Sequence, residues 1–301
     1  HTKSTNVKNV LLNDNSLSFE IKDDLLYITL DKQYPIGKEL EVIIEYVSHP
    51  SRGLYFFKPT EDIPEIPYQV WSQGQGEYNR HWIPAYDQPD DRLTSELIIT
   101  VPDNMIVVSN GLLQNIHHNE ERSIKTFHWF MEETHPLYLI TLIAGEYITK
   151  TEVVQGVTLE YNLPLDRTEN HDYYYGRTPQ MIQFFSDYIT PYPYKRYAQT
   201  TVQDFEWGGM ENTTATTLNR RIHHDHRAVP NYSADALIAH ELAHQWFGDL
   251  LTCKTWDHIW LNEGITTYFT DLWHENESGL DEMRFRRWEQ NQSYIGSLNE
   301  E

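Results

Sequence analysis

His240-Glu241-Leu242-Ala243-His244 and, downstream, Trp260-Leu261-Asn262-Glu263-Gly264 are the two segments that decide how this 301-residue chain is read. Residues four apart on an α-helix share a face, so one helix aims the imidazoles of His240 and His244 at a single point. A catalytic zinc takes three nitrogen or oxygen ligands and keeps a fourth position open. Glu263, separated from His244 by eighteen residues, is the third ligand that this pattern predicts. Glu241, between the two histidines, is left free to act as a base. His-Glu-x-x-His alone also recurs on solvated helix faces. The Asn-Glu-Gly segment on a second helical pattern moves the reading to one zinc ion, Zn2+, in a hydrolase.

The local patterns agree with that placement. Ser233 is a natural N-cap for the motif helix, and Gly248 is its stop. A second helix is expected from Asn262 to His274, with Ile265, Tyr268, Phe269 and Leu272 as its apolar stripe. A third opens at Thr178-Pro179, carries Met181, Ile182, Phe185 and Ile189 on one stripe, and stops at Pro191. Earlier in the chain short alternating segments dominate, such as Leu25 to Leu30, Glu41 to Tyr46 and Glu96 to Val101. Residues 1–163 therefore read as a β-rich domain and 164–301 as a mainly helical one.

Gly208-Gly209-Met210-Glu211-Asn212 lies upstream of the histidines. With His-Glu-Leu-Ala-His-Gln-Trp-Phe-Gly and Trp-Leu-Asn-Glu-Gly, in that order, it resembles the aminopeptidase N family of zinc metallopeptidases. Similarity extends to Ser72-Gln73-Gly74-Gln75, to Arg80 through Asp87, and to Tyr192-Pro193-Tyr194, and so covers most of the chain. The resemblance implies an α+β fold: an amino-terminal β-rich saddle domain, then a thermolysin-like catalytic domain. Both are expected to be cut short here, the first at its initial strands and the second at its carboxy-terminal part.

The resemblance also implies roles. Glu211 would hold the free α-ammonium of a peptide, with Gln75 as a second amine-binding group, and Gly208 and Gly209 would line the substrate backbone. Charge-assisted hydrogen bonds to an ammonium suit a buried anion beside the metal. The expected partners are thus peptides with a free amino terminus. Trp207 is a candidate wall of the first side-chain pocket.

The family's oxyanion-stabilising tyrosine lies further downstream than this sequence reaches, and neither Tyr268 nor Tyr294 takes its place. Relatives often carry an acidic residue where Thr270 stands, so Asp271 and Asp257 are candidates to receive the outer ring hydrogen of a ligand histidine. Three functions stay open: an aminopeptidase, an endopeptidase or bifunctional leukotriene hydrolase-like enzyme, and a fragment that only binds.

Composition frames the site. With 39% hydrophobic residues and nine tryptophans the chain can bury a sizeable core. Its 23 basic against 45 acidic residues give a net charge of −22, which argues against nucleic acid or an anionic membrane as partner. The longest apolar stretch, Leu137 to Ala144, is far short of the roughly twenty residues of a membrane helix and is expected as a buried strand. A soluble protein, cytoplasmic or exported, is implied. Cys253 stands alone, so no internal disulfide is possible, and a buried thiol is expected. His223-His224-Asp225-His226 reads as a solvated loop in preference to a second metal site. The Tyr173-Tyr174-Tyr175 run reads as packing rather than a stacking platform for bases.

Overall fold

The computed structural model describes residues 1–229 and 231–298. The first third is built from short antiparallel strands. Thr5–Leu12 pairs with Val42–Ser48, and Val7, Val10 and Leu12 point inward. Val7 and Val10 differ by an odd number of positions and would sit on opposite faces of a regular strand. A register shift between Val7 and Asn9 brings both to the core.

Two further sheets follow. In one, Ile124–Pro136 lies between Leu112–Asn119 and Arg92–Pro102. In the other, the order is Leu54–Phe57, Gln69–Ser72, Leu142–Gly145 and Ile106–Ser109. The stretch Leu137 to Ala144 is buried as expected, but it begins as a 3-10 turn, Leu137–Leu139, before the strand starts at Leu142.

A five-stranded sheet carries the chain into its second half. Tyr147–Val154 and Val157–Pro164 form its outer hairpin, followed by Arg196–Val202, Ala215–Asn219 and the short edge strand Gly209–Met210. This sheet draws strands from both sides of residue 163. Arg196–Val202 runs parallel to both its neighbours and is buried along all seven residues. Parallel strands covered on both faces lose the alternation that betrays a surface strand, and this one reads Arg-Tyr-Ala-Gln-Thr-Thr-Val. The apolar core is continuous across the halves: Trp71, Tyr138 and Ile143 pack with Ala198, Phe205 and Met210.

Helices cover the sheet. α1 spans Asp172–Tyr175 and α2 spans Thr178–Tyr188, with Met181, Ile182 and Phe185 fully buried. Tyr174 and Tyr175 lie in the same core. α3 is Asp235–Ala243, α4 is Trp260–Ser278 and α5 is Leu280–Ser297. The N-cap of α3 is Ala234 rather than the expected Ser233, and the Ser233 hydroxyl, one residue earlier, accepts the Asp235 N–H at 3.1 Å. α4 is longer than its apolar pattern predicted, and its buried face is different. Asn262, Thr266, Thr270 and Trp273 turn inward, whereas Tyr268 is exposed and Ile265, Phe269 and Leu272 are half-buried. Thr266 and Asn262 on that face bond to the segment that follows α3, at the Phe247 carbonyl and the Cys253 N–H, and Thr270 bonds back to the Thr266 carbonyl. Among the described residues no helix is long and apolar enough to cross a membrane.

Candidate metal centre

α3 ends at Ala243, one residue before the second histidine of the motif, yet His244 keeps helical dihedrals (φ −56°, ψ −27°). The i, i+4 geometry therefore survives. His240 Nε2 and His244 Nε2 lie 3.0 Å apart, and each is 3.4 Å from Glu263 Oε2, contributed by the first turn of α4. Metal–ligand bonds of about 2.0–2.1 Å in tetrahedral geometry put neighbouring donor atoms roughly 3.3 Å apart. The triangle has that size, and its two nitrogens and one oxygen are the donor set zinc accepts in catalytic sites. Among the described residues this is the one group of three or more His, Cys, Asp or Glu side chains gathered to hold an ion.

The outer ring nitrogen fixes the tautomer. His244 Nδ1 lies 2.9 Å from the Phe247 carbonyl and 3.2 Å from Thr266 Oγ1. A carbonyl only accepts, so Nδ1 carries a hydrogen, and in the neutral, metal-binding form of the ring it is the Nε2 lone pair that faces the triangle. The acidic candidates for this task are corrected: Asp271 accepts from Gln290 at 3.0 Å, and no contact joins Asp271 or Asp257 to either ring. A backbone carbonyl in the turn took the place of a side chain.

Electrostatics show an excess of negative charge. Burial opposes a charge on His244, but Glu211, Glu263 and Glu241 outweigh it and lift the ring to about 10. Glu263 is likewise penalised by burial, and its bonds to both imidazoles hold it well below the usual carboxylate range. Burial pushes Glu241 up to about 8, with Glu211 and Glu263 adding to the rise against His244. Glu211 is raised by burial in the same way, against the pull of His244. Three carboxylates around two imidazoles form a cradle for a divalent cation.

The remaining predicted residues converge here. Gln75 Nε2 donates to Glu263 Oε1 at 3.3 Å. The Glu211 carbonyl accepts from Gln245 Nε2 at 2.8 Å, which ties it to the residue after His244. Its side chain is buried, and among the described residues Oε1 has no hydrogen-bond partner. A Cβ on Gly209 would lie 2.4 Å from the Glu241 carboxylate, and one on Gly208 would lie 3.0 Å from Leu237 Cδ1. Trp207 is partly exposed and meets Phe205 edge-on at 5.6 Å.

Two other expectations concern residues outside the ligand set. Cys253 is buried and unpaired. His223 is no solvated loop residue: its ring sits 4.8 Å from Tyr174 and its Nε2 is 3.1 Å from Thr201 Oγ1. Sequence reasoning missed Tyr138, Thr266 and the Phe247 carbonyl, none of which carries a recognisable signal. Asn262 stood inside a quoted motif without a role.

The fold and this triangle define a zinc-metallopeptidase architecture. Residues 1–139 match the Peptidase M1 N-terminal domain and residues 173–299 the Peptidase family M1 domain. The chain belongs to peptidase family M1. It is 28% identical over 276 residues to leukotriene A-4 hydrolase of Xenopus laevis, covering 89% of this chain and 44% of that protein. It is 27% identical over 272 residues to aminopeptidase M1-C of Oryza sativa subsp. japonica, covering 83% of this chain and 29% of that protein. The chain thus spans less than half the length of either relative. In fold it superposes on an M1 zinc metallopeptidase from Deinococcus radiodurans with a TM-score of 0.79 at 23% identity, over 97% of this chain and 65% of the other.

Proposed function

We propose that the chain carries the site of a zinc aminopeptidase, which removes amino-terminal residues from peptides. The observation that carries this reading is Glu211, a buried carboxylate beside the metal triangle whose Oε1 has no partner. A buried carboxylate oxygen without a hydrogen-bond partner calls for a donor, and the α-ammonium of a peptide supplies a charged one where an internal peptide nitrogen cannot. Gln75, bonded to Glu263, carries an amide able to turn its oxygen toward the same ammonium.

When bound, zinc supplies Lewis acidity, making water a nucleophile near neutral pH and polarising the scissile carbonyl. His240, His244 and Glu263 would hold it. Glu241 takes the proton of the attacking water and delivers it to the leaving amine. Gly209 lies on an edge strand next to Glu241, so the free side of Gly208 and Gly209 lines the substrate backbone.

Paired substrates test the reading, one with a free and one with an acetylated amino terminus, each with and without a chelator. An aminopeptidase hydrolyses only the first, and only without chelator. Cleavage of the blocked peptide at a comparable rate would instead support an endopeptidase.

A further inference from the structure

We propose that Tyr138 is a positioning residue that keeps Gln75, from the β-rich half, in register with the zinc ligands His244 and Glu263; this deepens the zinc-peptidase reading and rests on it. Tyr138 lies in the 3-10 turn Leu137–Leu139 and is buried, outside both the metal triangle and the proposed amine pocket. Its main chain and side chain reach three segments, each one step from a site residue or packed against one.

The hydroxyl makes two of these contacts. It accepts from Asn262 Nδ2 at 3.1 Å, and Asn262 immediately precedes Glu263. Asn262 is fully buried and uses its other end, Oδ1, to accept the Cys253 N–H at 2.9 Å. The same hydroxyl donates to the Gly248 carbonyl at 3.4 Å. Gly248 is pressed against a ligand ring, since a Cβ there would sit 3.0 Å from His244 Nδ1. Its φ of +139° keeps the position for glycine.

The main chain makes the third contact. A Cβ on Gly74 would lie 2.1 Å from the Tyr138 carbonyl oxygen, so the backbone entering Gln75 rests on Tyr138. The backbone leaving Gln75 rests on the next ring, because a Cβ on Gly76 would meet Trp256 at 3.7 Å. Trp256 in turn packs edge-on against the Tyr138 ring, 5.0 Å between centroids. Gln75 is therefore held from both sides by the Tyr138–Trp256 pair, and its amide meets Glu263 at 3.3 Å. One phenol thus sets the distance between a group from residues 69–79 and the ligands on α3 and α4.

Tyr138→Phe keeps the ring packing and removes only the hydroxyl, leaving Asn262 Nδ2 unpaired in a buried place, while the Gly248 carbonyl keeps its 2.6 Å bond from Thr252 Oγ1. Loss of such supporting partners weakens metal binding about 10- to 100-fold. Chelator competition on the purified full chain should show a zinc dissociation constant at least tenfold above the parent's. Tyr174→Phe is the control, because it removes a tyrosine hydroxyl bond of 2.9 Å to the Arg167 carbonyl outside the site. It should lower the melting temperature and leave zinc affinity alone.

Tyr138→Phe that binds zinc as tightly as the parent, with a melting shift like the control's, would overturn the proposal while the zinc-peptidase reading stands. A parent chain that neither binds zinc nor cleaves free-amine peptides would overturn both. Should Tyr138→Phe fail to fold, Asn262→Ser shortens the partner instead and carries the same expectation. Parent-like zinc affinity in folded Asn262→Ser sinks the idea equally.

Discussion

Gly209 and Glu241 are packed so closely that a single methyl group on Gly209 would stand 2.4 Å from the Glu241 carboxylate. The second glycine of Gly-Gly-Met-Glu-Asn is therefore dictated by the glutamate of the zinc motif, thirty-two positions away. Gly209→Ala must displace either the edge strand or the carboxylate. Misplacement by about 1 Å costs catalysis roughly a hundredfold. We expect kcat/KM to fall by about that factor, with one zinc still bound per chain by elemental analysis. Near-parental turnover would show that Glu241 can work from a displaced position.

Glu241→Gln separates metal binding from proton transfer. The amide fills the same volume and leaves His240, His244 and Glu263 untouched. General-base assistance contributes about two to four orders of magnitude, so kcat should fall into that range while zinc content stays at the parental level. Loss of zinc alongside activity would argue that Glu241 supports the ligands instead.

Glu211→Gln probes the amine pocket. Hydrogen bonds to charged groups contribute about 1.5–3 kcal/mol, a factor of roughly 10 to 150. The variant should lose that factor in kcat/KM on free-amine peptides, and its remaining activity should discriminate less between free and acetylated substrates. Equal losses on both would remove Glu211 from ammonium recognition.

The four-residue interval between His240 and His244 was enough to foresee their meeting, because helix geometry maps it onto one face, whereas Glu263 was foreseen from the third ligand that zinc requires and the Asn-Glu-Gly segment that supplies it. The same logic failed on α4. Its inward residues Asn262, Thr266 and Thr270 are polar, and each is buried for a bond whose partner the sequence does not mark: the Cys253 N–H, the Phe247 carbonyl and the Thr266 carbonyl. A search for apolar periodicity passes over such a face. It passes over Arg196–Val202 too, where Gln199 bonds Thr178 at 2.9 Å and Arg196 pairs with Glu160 at 2.8 Å inside the fold. The alternating strands of the first 160 residues were legible because most keep one face in water.

The β-rich half carries a pH-dependent contribution to stability at His135. The ring is fully buried, with Nε2 at 3.1 Å from Ser95 Oγ and Nδ1 at 3.0 Å from the Glu133 carbonyl. Burial pushes its pKa down to about 4, and Arg92 adds to the fall against the Glu133 bond. An unfolded histidine titrates near 6.5. As pH falls, the unfolded chain therefore takes up its proton first. The stability owed to the neutral ring is whole above about pH 6.5 and is lost progressively toward pH 4, by about 3 kcal/mol. His135→Gln keeps a polar partner for Ser95 and has nothing to titrate. In urea unfolding, the parent's advantage over His135→Gln should shrink by about that amount between pH 7 and pH 4. A difference that stays constant over the range would mean that His135 takes up its proton equally in both states.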